Sequence, residues 1–157
     1  MGWTVLDDAP IEGLRADLQP SVDEALWLTL LGKQLHWNLV GPTFLSAHAQ
    51  LDDIVEHARS WTDDLAERLV TLAGVADGSP AAAARGELGS LPISQLAIED
   101  ALGTMADALA SFARRLRDRA AAADDRDLAT QDLYVEVLRA VEKNLWMVRA
   151  HLEHPKS

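Results

Sequence analysis

Apolar positions recur along this chain at three- and four-residue intervals. That is the period of helices with one face turned to a core. Leu28, Leu31, Leu35 and Leu39 form the first stripe and predict a helix from Ser21 to Val40. Ser21, with Glu24 three residues on, reads as a capping box at its start. Gly41 and Pro42 end it, because glycine suits a helix C-terminus and proline cannot continue the hydrogen-bond ladder. A second stripe of Leu51, Ile54, Ala58, Trp61, Leu65, Leu69 and Leu72 predicts a helix from Phe44 to Leu72. A third, over Leu96 to Ala123, carries Ile98, Leu102, Met105, Leu109, Phe112 and Leu116. The fourth, from Asp127 to Glu153, carries Tyr134, Leu138, Val141, Leu145, Val148 and Leu152, with Pro155 as its stop.

Between the second and third stripes, Gly74 to Gln95 holds four Gly and two Pro, which breaks the period. Only Ala81-Ala82-Ala83-Ala84-Arg85 within it can form a short helix. The short link between helices one and two makes them antiparallel neighbours. The long stretch after helix two is a crossover, so the chain is expected to fold as an all-α four-helix bundle. Residues 1–20 show no clear period and read as an arm docked on the surface. Residues 154–157 read as a short tail, and 1–157 as one domain. No strand alternation and no internal repeat is found.

Composition narrows the chemistry. The absence of cysteine among the 157 residues rules out disulfides, thiolate zinc sites and cysteine nucleophiles. The start, Met1 to Asp8, lacks the basic residues and apolar run of a signal peptide, and no stretch is long enough to span a bilayer. A cytoplasmic protein is expected, with nucleoid association as a variant of that location. The formal net charge of −11 disfavours phosphate-rich partners and suits the attraction of cations. No Gly-x-Ser-x-Gly elbow and no Gly-rich phosphate loop is present.

The chemistry-bearing residues concentrate between His36 and Glu67. On the second helix His48 and Asp52 are four apart, as are Asp63 and Glu67, so each pair lies on one face a turn apart. At ~100° per residue all four share one sector. They cannot share one ion within one chain, since Asp52 and Asp63 are about 16 Å apart along the axis. An antiparallel second copy related by a dyad near His57 and Ala58 would bring each His48/Asp52 pair against the partner's Asp63/Glu67. Two equivalent sites would then lie on the order of 20 Å apart. Oxygen and imidazole donors without sulfur suit iron, manganese or zinc. The alternative for the same residues is a solvated acidic helix face.

These residues also carry a resemblance. His36-Trp37-Asn38, Gly41, Phe44, His48, Asp52, Asp63 and Ala66-Glu67-Arg68 together resemble the signature of the Dps family, ferritin-like mini-ferritins named as DNA-binding proteins from starved cells. The likeness runs from about Ser21 to Leu152. It implies a ferritin-like bundle and a twelve-subunit shell that oxidises Fe(II), preferably with hydrogen peroxide, and stores ferric iron. It implies that His36, His48, Asp52, Asp63 and Glu67 form a ferroxidase site between two-fold-related subunits. No Glu-x-x-His motif occurs, which argues against an ordinary di-iron bundle and for the intersubunit variant.

The resemblance extends to less certain positions. Trp37, beside His36, would intercept oxidising equivalents, unless it is an ordinary packing aromatic. An acidic iron-entry pore would lie at the junction of helices three and four, where Asp124, Asp125, Asp127 and Asp132 cluster; capping aspartates would look the same. His151 and His154, three apart, form a candidate accessory metal site or a solvated tail pair. His57 lies about 180° from His48 and should face away from the site, whereas Trp61 belongs to the core stripe. A nucleoid-binding stress protein is the alternative function. Against it stand an arm with one basic residue, Arg15, before Ser21, and a tail ending Pro155-Lys156-Ser157.

Overall fold

A computed structural model describes residues 8–153, with side chains from residue 11 onward. Its elements are α1 (Asp8–Asn38), β1 (Leu39–Val40), α2 (Phe44–Thr71), α3 (Pro80–Arg85), β2 (Leu96–Ala97), α4 (Ile98–Ala123) and α5 (Leu128–Leu152). α1 packs mainly on α2, and α4 mainly on α5. The two hairpins close into one bundle around the predicted stripes. Leu28, Leu31 and Leu35 of α1, Leu51, Ile54 and Leu65 of α2, Leu102, Leu109 and Phe112 of α4, and Tyr134 and Val141 of α5 are all buried. The all-α bundle is therefore the one the stripes predict, with its short helix in the crossover. Ser79 caps that helix by accepting from the Ala82 N–H, and Pro80 begins it, where its missing N–H costs nothing.

Three details differ from expectation. First, α1 begins at Asp8, so the residues read as an arm are largely helical. Ile11, Leu14, Leu18 and Val22 are all buried and continue the stripe into Ala25 and Leu28. Pro20 sits inside this helix at a cost of about 3 kcal/mol. Burying each large aliphatic side chain returns about 1.5–3 kcal/mol, so three such residues outweigh one proline.

Second, Ser21 and Glu24 form no capping box. Ser21 Oγ donates to the Asp17 carbonyl at 2.9 Å, one turn back in the same helix. The buried Glu24 carboxylate instead receives Arg115 at 2.8 Å and Arg119 at 2.9 Å, tying α1 to α4. Third, a minimal strand pairing exists. Leu39 and Val40 pair in parallel with Leu96 and Ala97, so the two ends of the crossover-spanning segment meet just after α1. Two residues are too few to show an alternation.

The long α1 also anchors the crossover. Arg15 Nε donates to the Leu72 carbonyl at 2.6 Å, at the end of α2. The Gln19 side-chain amide exchanges hydrogen bonds with the backbone of Asp77, at 2.9 and 2.8 Å. Among the described residues no helix is long and apolar enough to cross a membrane.

Candidate metal centre

Two backbone features bring the first half of the site together. At Gly32 the helices α1 and α2 touch: a Cβ there would lie 2.5 Å from Val55 Cγ2. One turn later comes His36. The chain then reverses through Gly41, whose φ of 150° disfavours any residue with a side chain. Phe44 starts α2, and its second and third turns present His48 and Asp52.

The two imidazoles stack, with ring centroids 3.5 Å apart and planes 24° from parallel. Phe44 lies against His48 at 4.8 Å. Each histidine directs Nδ1 at the other's backbone carbonyl, at 3.0 Å in both directions. A carbonyl only accepts, so each Nδ1 carries a proton, and in the neutral ring Nε2 is then the nitrogen with a lone pair to offer. This second bond fixes the ring orientation that a metal-binding histidine needs. His36 is 6 % exposed, while His48 and Asp52 open towards solvent. Donor atoms of His36, His48 and Asp52 all lie within 4.8 Å of one another. Among the described residues no other three histidines or carboxylates converge in this way.

Asp52 has company. Lys33 Nζ lies 2.7 Å from its Oδ1, and His36 Nδ1 lies 3.4 Å from the same oxygen. The hydrogen bond from Lys33 holds the Asp52 carboxyl below its ordinary range; desolvation opposes this, and the charge of Lys33 adds to the lowering. The sequence reading missed Lys33. Its signal was its place one turn before His36 on the same side of α1, together with the rarity of lysine in this chain.

The other predicted positions fall elsewhere. Asp63 and Glu67 are solvent-exposed further along α2 and do not join the triad within the chain. Trp37 is 68 % exposed, with Lys33 Nζ 5.9 Å from its ring centroid. His57 turns away from the site, its Nδ1 3.1 Å from Asn144 Oδ1 on α5. Trp61 is core, as the stripe required.

Asp127 is engaged within the chain. Its Oδ2 caps α5 by accepting from the Thr130 N–H at 2.9 Å, and it is ion-paired with Arg68. Burial raises its pKa, but the bonds from Thr130 and Arg68 outweigh that, and the net effect is a lowering. Asp124, Asp125 and Asp132 remain exposed, with Asp124 accepting from Gln131 at 2.7 Å. His151 Nε2 lies 3.3 Å from Thr43 Oγ1, and His154 lies outside the described residues.

A bundle of two hairpins joined by a crossover, with histidine and carboxylate donors at one end of a helix pair, defines a ferritin-like protein. The family model for the ferritin-like domain matches residues 16–157. The chain is 33 % identical over 141 residues to the DNA protection during starvation protein of Agrobacterium fabrum, covering 87 % of this chain and 85 % of that one. It is 33 % identical over 136 residues to the protein of the same name from Mycolicibacterium smegmatis, covering 86 % and 73 %. Among solved structures, Dps from Microbacterium arborescens in a high iron form superposes with a TM-score of 0.88 at 30 % identity, over 94 % of this chain and 97 % of that one. The chain belongs to the Dps family of ferritin-like proteins.

Proposed function

We propose that this protein is a mini-ferritin that takes up Fe(II), oxidises it at sites shared between two subunits and retains the ferric product, lowering oxidative damage. The observation that carries the reading is the convergence of His36, His48 and Asp52, whose donor atoms all lie within 4.8 Å of one another. Iron is the substrate. Imidazole nitrogen and carboxylate oxygen suit Fe(II), and the carboxylates favour the more highly charged Fe(III). Asp63 and Glu67 of a two-fold partner complete the donor set. With hydrogen peroxide as oxidant, two Fe(II) each give one electron, the O–O bond breaks, and two protons complete two waters. No hydroxyl radical is released.

The face of α1 beside the triad supports the shared site. Taking Lys33 as zero, Leu26, Leu30 and Trp37 fall at roughly 20°, 60° and 40° around the helix. Leu26, Thr29 and Leu30 line an almost wholly apolar groove against Gly78, Ser79, Pro80 and Ala83. Leu30 is 54 % exposed. A partner seated on this face would cover the groove and reach Asp52 together. The twelve-subunit shell, a cytoplasmic location and an acidic entry route through Asp124, Asp125 and Asp132 belong to the same reading.

Direct DNA binding finds little support. Lys33, Arg59, Arg68, Arg85, Arg115, Arg117 and Arg119 are all paired with carboxylates, and the net charge is −11.

The test is anaerobic loading with Fe(II), addition of hydrogen peroxide, and stopped-flow recording of ferric absorbance. The Asp63→Ala/Glu67→Ala variant runs beside it. Oxidation well above the buffer rate, reduced at least tenfold in the variant, is the expected outcome. Equal rates in wild type, variant and buffer overturn the enzymatic reading.

A further inference from the structure

We propose that Lys33 is an internal counter-cation of the metal centre: it occupies Asp52 while no metal is bound, and an incoming divalent ion must displace it. The inference rests on the metal-site reading above and adds what regulates that site. Lys33 Nζ makes a charge-assisted hydrogen bond to Asp52 Oδ1 at 2.7 Å. Asp52 is the carboxylate of the convergent triad and the ligand the chain supplies in addition to its two imidazoles. The ammonium therefore sits at the edge of the volume a metal bound by those three donors would fill. Two positive charges cannot share that volume without strong repulsion.

The geometry also provides for displacement. The Lys33 hydrogen bond and the His36 Nδ1 contact both fall on Oδ1, and neither involves Oδ2. The Lys33 side chain is about a quarter exposed, so its head can return to water without a large penalty. It has a second resting place on its own helix, the face of Trp37, 5.9 Å from Nζ, where a cation is attracted by the ring. Lysine suits such a part. Its flexible four-carbon stem carries a point charge that swings between partners, whereas a planar guanidinium would lock onto the carboxylate in two bonds. Metal binding is then an exchange of one cation for another at Asp52. Weakly held monovalent ions, which gain no more charge attraction than Lys33 itself, do not displace it. Divalent ions do.

The experiment uses the assembled full-length protein and Zn(II) as a redox-inert probe, with affinity read by calorimetry at fixed ionic strength. In Lys33→Gln, Zn(II) binding should tighten about five- to tenfold, the size expected on losing one competing charge-assisted bond at a half-exposed carboxylate. Lys33→Arg should not tighten it. In an Asp52→Asn background, Lys33→Gln should change nothing, which distinguishes competition at this carboxylate from a general effect on the fold. Far-UV circular dichroism checks that all variants remain helical. If wild type binds Zn(II) in a His48-dependent manner and Lys33→Gln binds it no tighter, the counter-cation role is overturned and the metal site stands. If wild type and Lys33→Gln both bind no more Zn(II) than His48→Ala, both the role and the metal site fail.

Discussion

At the scale of single residues, this chain places its charges in pairs whose strength differs with their setting. His36 and His48 each anchor Nδ1 on the other's backbone carbonyl, so truncating one side chain removes the ring stacking but leaves the other ring its hydrogen bond. Asp77 is a different case. The hydrogen bond from Arg85 at 2.7 Å, helped by the Ser79 N–H at 2.9 Å, holds its carboxyl down at about 2, against an ordinary 3.8. A carboxyl depressed in the folded state stabilises the fold above the unfolded pKa. That contribution is lost as pH falls through the folded value, here between about pH 4 and pH 2. Asp77→Asn should therefore show a shallower fall in stability over that window than wild type, measured by denaturant midpoints at fixed protein concentration. Parallel curves would mean that the Arg85 pair does not persist in solution. The grouping of four candidate donors was legible at this scale because helical spacing puts His48, Asp52, Asp63 and Glu67 in one sector without any coordinates. Lys33 was not, since a flexible lysine reaches partners on another helix that no spacing rule specifies. Nor was the inward turn of Asp127, because a capping carboxylate and a pore carboxylate share one residue type and one position at a helix start.

At the scale of elements, the four stripes placed the bundle helices to within a few residues, except at the start of α1. There proline and a capping-box pattern pointed to a boundary that tertiary burial overrides. Ser21 and Glu24 have the right types at the right spacing for a cap, yet both lie mid-helix among core residues. Glu24 spends its charge across the bundle instead. It is nearly fully buried, and it meets Arg115 and Arg119 of α4 on both oxygens. Removing one partner of a buried pair leaves the other uncompensated, which typically costs about 3 kcal/mol or more. Glu24→Gln keeps the shape and removes the charge. We expect it to lower stability by about 3 kcal/mol in chemical denaturation followed by circular dichroism. A loss below about 1 kcal/mol would mean that the two guanidiniums, one of them half-exposed, are sufficiently solvated without it.

At the scale of the whole molecule, the chain carries two groups of candidate donors that cannot meet within it. His36, His48 and Asp52 converge, while Asp63 and Glu67 stand exposed about three turns further along α2. If these residues bind one metal centre, their spacing calls for a second copy. The face of α1 with Leu26, Leu30, Lys33 and Trp37 offers the surface for it, and the structure adds the apolar groove against α3 that no periodicity rule could reveal. If each site draws one half from each subunit, two individually dead variants should rescue one another. Asp63→Ala/Glu67→Ala keeps the imidazole half, and His36→Ala/His48→Ala keeps the partner's carboxylate half. In a mixed dimer, one site then receives both intact halves and the other receives neither. Random co-assembly at equal amounts makes half the dimers mixed, each with one working site of two, so about a quarter of wild-type peroxide-driven iron oxidation should return. Co-expression of the two variants, followed by stopped-flow ferric absorbance on the purified assembly, measures it. Activity no greater than the average of the separate variants would show that iron is not oxidised at a site built across this dyad.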